Sequence, residues 1–201
     1  MQNQQLTEDL RFLRSMIDRT RPRIDAAAPI MITWGSIALI GSPLTEWLIR
    51  NHRFDDIDRV WAVLIMLIGV PLSAYFGYRA KKQCALLGVT PYVARQIGWV
   101  WAVLIPNLVA WSFLVRFWLH APHLMVFVSA AIYGIGLAMM GILYSKEWMI
   151  AGLSVFIAIP TAAFYLEHAQ TVLGMVIGIS CIVPALISLR RQSEDRKAVH
   201  A

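Results

Sequence analysis

Four of the five histidines fall in a few polar connections: His52, the pair His120-Ala-Pro-His123, and His168 immediately after Glu167. Imidazole nitrogens beside a carboxylate suit a borderline metal or a proton sensor that titrates near neutral pH. Pro122 breaks the helical i,i+3 geometry that would aim His120 and His123 at one point. No partner that would orient either ring can be read from the chain, so neither a metal nor a cofactor is assigned.

Glu46 and Arg116 each lie a few residues inside the same end of an apolar run. Ionisable groups at that depth are costly unless paired or snorkelling to water. Their opposite signs and matched depths predict a salt bridge, with His120, His123, Glu167 and His168 around the same mouth. Asn107 sits in the middle of a run beside Pro106, whose missing N–H frees a backbone carbonyl one turn earlier. The Asn107 amide can bond that carbonyl or a neighbouring helix, which makes it structural glue. The chain has no His-Glu-x-x-His, no Gly-x-Ser-x-Gly and no phosphate-binding glycine loop, so no catalytic residue is assigned. No motif identifies a family.

The elements that must hold these groups are apolar. Of 201 residues, 58% are hydrophobic and only 15% charged, and the mean hydropathy is +0.60. A soluble domain of this size lacks the polar surface to wrap so much apolar material. Six runs of roughly 20 residues, the length that crosses a bilayer core of about 30 Å, are placed near 29–49, 60–78, 97–118, 122–144, 148–166 and 171–189. In lipid, backbone polar groups must be satisfied within the segment, so these spans are helices. The predicted fold is therefore all-α: a polytopic six-transmembrane-helix bundle over residues 26–190, preceded by an amphipathic helix at 1–25 and followed by a basic tail at 191–201. The short last links make spans three to six sequential antiparallel neighbours.

Basic residues give the expected orientation. Arg11, Arg14, Arg19, Arg21, Arg23, Arg79, Lys81, Lys82, Arg95, Lys146, Arg190, Arg191, Arg196 and Lys197 fall on the side of the N-terminus, against Arg50, Arg53, Arg59 and Arg116 on the other. This bias places both termini in the cytoplasm of a cell (inner or plasma) membrane. It also assigns the net charge of +6 to topology and anionic lipid, with no nucleic-acid partner. Two cysteines, Cys84 and Cys181, are too few for a disulfide framework or a paired zinc motif.

Small residues recur every four positions at Gly69, Ser73 and Gly77, at Ala130, Gly134 and Ala138, at Ala158 and Ala162, and at Gly174 and Gly178. Such ridges let helix backbones approach closely, either inside one bundle or across a homo-oligomer. Leu6, Leu10, Leu13 and Ile17 make an apolar stripe on the first helix. It is too short to be stable alone in water, so it docks on the bundle, on a cytoplasmic or membrane partner, or on lipid.

Three functions follow as expectations. The first is a non-enzymatic accessory or regulatory membrane subunit, docked through residues 1–25. The second is a small secondary transporter or channel-like protein built on a 3+3 inverted repeat, in which Ala28-Pro29, Ser36, Ala38 and Gly41 align with Ala121-Pro122, Ser129, Ala131 and Gly134. The third is a membrane metal- or haem-binding protein that uses the histidines.

Overall fold

A computed structural model describes residues 27–86, 92–118 and 124–200, with the side chains of 84, 86, 92–94, 116 and 195–200 outside the description. The first helix, α1, is Ala27–Arg50. The second, α2, is continuous through Phe54–Ala62, a π-helical stretch Val63–Gly69, and Val70–Leu86. Helix α3 is Tyr92–Phe113, prolonged by a π-helical turn Leu114–Trp118. Helices α4 (Met125–Leu143) and α5 (Lys146–Phe164) follow, and a 3-10 turn Leu166–His168 leads into α6, Ala169–His200. Among the described residues, six helices are long and apolar enough to span a membrane. The amphipathic helix expected at 1–25 lies outside the described residues. The residues expected as a tail after 190 continue α6, which at 32 residues exceeds a bilayer core.

Proline punctuates these helices without ending them. Pro43, Pro106, Pro160 and Pro184 lie inside α1, α3, α5 and α6. In α2 the residue before Pro71, Val70, still reaches back five residues to the Ile65 carbonyl. Pro71 has no N–H to return and its ring crowds the carbonyl four residues back, which fits a widened turn just upstream.

The ends of the bundle differ in charge. One, the basic end, carries the start of α1, the end of α2, Arg95, Lys146, Arg190 and Arg191. The other, the histidine end, carries Arg50 to Arg59, Trp118 and His168. Between them the centre is built by α1 on α6, α6 on α5 and α4, and α4 on α5. Its fully buried side chains include Trp148, Leu137, Met140, Leu173 and Val155. The expected packing of spans three to six in sequence is met by α3 on α4, α4 on α5 and α5 on α6.

Small residues set these distances. A Cβ on Gly35 of α1 would lie 2.8 Å from the Gly178 carbonyl oxygen of α6, and one on Gly174 would collide with Ser42. A Cβ on Gly152 of α5 would lie 2.5 Å from the Ala138 backbone nitrogen of α4. The backbones are in contact, so any larger residue would push the helices apart. A hydrogen bond of 3.0 Å between Ser154 and Ser180 adds a polar tie between α5 and α6.

Helices α2 and α3 flank this centre. α2 packs on α1, and α3 packs on α4. Each presents a large unburied apolar face, including Met66 and Leu67 on α2 and Val103 and Phe117 on α3. Each is fixed by a tryptophan. The sequence Val-Trp-Ala-Val-Leu-Ile occurs twice, at 60–65 and 100–105. Trp61 and Leu64 cover Gly41, while Trp101 and Leu104 cover Gly136.

Candidate functional site

The densest polar constellation among the described residues lies at the histidine end, where α1 finishes and α6 begins. Helix geometry places Glu46 and Arg50 one turn apart on one face of α1. Arg50 Nη2 donates to Glu46 Oε1 at 2.7 Å. The 3-10 turn before α6 brings His168 Nδ1 to 2.9 Å from the same oxygen and to 2.8 Å from Arg50 Nη2.

The other carboxylate oxygen, Glu46 Oε2, accepts the backbone N–H of Thr171 at 3.1 Å. Thr171 is the third residue of α6, so its N–H is one of the four that a helix start leaves unpaired. A carboxylate there is also favoured by the helix dipole. Glu46 thus caps a helix 125 residues away in sequence and ties together the two helices that pack most closely. Its side chain is 10% exposed, whereas Arg50 and His168 are more than half exposed. The arrangement is a buried acceptor under an open, cationic rim.

The expected partners of Glu46 fall unevenly. His168 is at hydrogen-bond distance, and Glu167 is exposed one residue before it. Arg116 lies in the π-helical turn that ends α3, but its side chain is outside the described residues, as are His120 and His123. Arg50 was not among the expected site residues, although its i,i+4 spacing from Glu46 was a readable signal. Asn107 donates from Nδ2 to the Val103 carbonyl at 3.1 Å, within its own helix. The Leu6, Leu10, Leu13 and Ile17 stripe lies outside the described residues.

A second ion pair stands at the basic end, where Arg191 of α6 donates to Glu147 Oε1 of α5 at 2.5 Å. Glu147 Oε2, Trp148 Nε1 and Gln192 Nε2 are buried there without a hydrogen-bond partner among the described residues. Among the described residues, no three His, Cys, Asp or Glu side chains converge as metal ligands would.

Chemically, the Glu46 cluster can hold two helix ends together. It has no activated nucleophile. Comparison of the chain with protein-family models, with curated proteins and with solved structures returned no match.

Proposed function

We propose that this chain is a non-enzymatic accessory or regulatory subunit of a cell membrane, oriented with its basic end in the cytoplasm. The observation that carries the reading is the contrast between centre and flanks. Helices α1, α6, α5 and α4 meet at Gly35, Gly178, Gly174, Gly152 and Ala138 with backbones touching, which favours a static scaffold over helices that separate in a transport cycle. The positive-inside distribution supports the orientation. Residues 1–25, with the Leu6–Ile17 stripe, are the proposed partner-docking element.

The test is native electrophoresis of the tagged full chain after mild extraction from its own membrane. The proposal expects one discrete larger complex, which loses this chain when Leu10 and Leu13 are both changed to Asp while the bundle stays folded. Migration of the wild-type chain alone, together with collapse of a proton gradient in liposomes containing only the purified protein, would overturn it in favour of transport. A transporter reading draws on one specific feature, the π-helical stretches in the flanking helices, since such irregular turns are frequent at functional sites.

A further inference from the structure

Asn107 stands near the middle of α3, about 15 Å from either end of the apolar run 97–118. It is exposed, as are Val103 and Ala110. The face that α3 turns to the bundle is a different one, where Trp101 and Leu104 cover Gly136 of α4. A carboxamide has two N–H donors and an acceptor oxygen. Asn107 Nδ2 donates to the Val103 carbonyl at 3.1 Å, which leaves its second N–H and its Oδ1 unused among the described residues. At mid-membrane depth no water can satisfy them, and hydrocarbon makes such groups costly.

The sequence around Asn107 carries a period. Val100, Val103, Asn107, Ala110 and Leu114 are spaced three, four, three and four residues apart, which is the repeat of a coiled-coil seam. None of the five is buried in the bundle. Ala110 and Leu114 also line one open hollow on the surface of α3, so the seam stays aligned into the π-helical turn. In heptad terms Val100, Asn107 and Leu114 hold the a positions, and Val103 and Ala110 the d positions. A single Asn at an a position is the polar group that fixes register and strand number between parallel helices.

We propose that this face of α3 is the interface of a parallel, two-fold homodimer, in which Asn107 pairs with Asn107 of a second copy. Two copies with one distribution of basic residues insert the same way. Their α3 helices therefore run parallel, and both amides lie at one depth. Across a two-fold axis the amide is self-complementary: Nδ2 of each copy donates its unused N–H to Oδ1 of the other. Any other membrane partner would need a polar group of its own at that depth, whereas a second copy brings one by identity. Val103, Ala110 and Leu114 supply the packing around it, and the small Ala110 lets the backbones approach. The seam is distinct from residues 1–25, so its test does not depend on the docking proposed for that segment.

The experiment uses the purified full chain in liposomes at falling protein-to-lipid ratio. Cys84→Ala is the background, and the buried Cys181 is kept. Single cysteines are placed on α3 at Val103 and Ala110 in the seam, and at Ile105 and Val109, which are exposed outside it. With a membrane-permeant oxidant, the proposal expects disulfide dimers from Val103→Cys and Ala110→Cys, and little from Ile105→Cys or Val109→Cys. Energy transfer between labelled copies should show dimers in the wild type. Asn107→Leu should weaken that association roughly tenfold, the sum of two reciprocal bonds of the modest worth found between membrane helices. A monomer at every ratio, equal cross-linking at all four positions, or a dimer indifferent to Asn107→Leu would overturn the proposal. So would cross-linking of the seam cysteines to another protein in the native membrane with none between purified copies. Should Asn107→Leu fail to fold, the cross-linking pattern of the four cysteines decides alone.

Discussion

The α1–α2 and α3–α4 hairpins seat the same six residues on a glycine, yet only the first completes the hydrogen bonding of its indole. In both, the tryptophan Cη2 would lie 2.9 Å from a Cβ on the receiving glycine, Gly41 or Gly136, and the leucine three residues on closes the other side. The polar half differs. Trp61 Nε1 donates to Thr45 Oγ1 at 2.9 Å, and Thr45 donates onward to the Gly41 carbonyl at 2.7 Å. Trp101 Nε1 is buried with no partner among the described residues. Four residues after Gly41 stands Thr45; four residues after Gly136 stands the fully buried Met140. The steric code and the polar code of this contact are therefore separable. Close packing alone seats α3, as expected where helix association in lipid rests on van der Waals contact.

The steric half gives the largest expected effects. Gly41→Ala and Gly136→Ala should each lower stability by about 1–3 kcal/mol, since each methyl meets a pinned indole. Thermal or denaturant unfolding in detergent reads both, and a neutral result at only one site would break the equivalence. The polar half comes next. Thr45→Val keeps shape but removes the acceptor, and should cost about 1 kcal/mol in the same assay, the scale of an interhelical hydrogen bond in membranes.

How much of this was legible follows from range. The expected spans 29–49, 60–78 and 171–189 fall inside helices at Ala27–Arg50, 54–86 and Ala169–His200, because hydropathy is local and the bilayer sets the length. Which helices touch was legible only where links are short. The packing of α1 on α6, and with it the meeting of Glu46 with His168 and Thr171, depends on contacts over 120 residues apart in sequence, which no periodicity encodes. The hexapeptide repeat was visible but is not the 3+3 alignment: it relates α2 to α3, whereas a 3+3 repeat relates α2 to α5. The small-residue ridges announced close approach without naming the partner. Gly69 lies under Trp34, yet Gly77, on the same ridge, has nothing within 4 Å.

A smaller effect separates the two indoles by size of loss. Trp61→Phe removes a satisfied N–H, which adds about 0.6 kcal/mol, the average for such bonds between membrane helices, to the cost of the lost ring volume. Trp101→Phe removes a buried N–H that has no acceptor, and an unmet donor carries its desolvation cost without a return. Both variants also lose the outer indole carbons that cover the glycine, which is destabilising, so Trp101→Phe should cost about 0.6 kcal/mol less than Trp61→Phe. Equal losses at both sites would mean that indole size, not the N–H, sets the energy.

The smallest expected effect is also the most specific. If the hairpins correspond residue by residue, Met140→Thr gives Trp101 the acceptor that Thr45 gives Trp61. The single variant does not isolate that gain, because it also removes buried volume beside Leu137 and Trp148 in the centre, and lost volume is destabilising. A double-mutant cycle does. Met140→Thr is measured in the wild type and again in Trp101→Phe, where the volume loss is the same but no N–H exists to be satisfied. The difference between the two costs should be about 0.6 kcal/mol in favour of the tryptophan background, within reach of a cycle between neighbouring residues. A coupling of zero would place Met140 out of reach of the indole. The two hairpins would then share their steric fit without sharing a register.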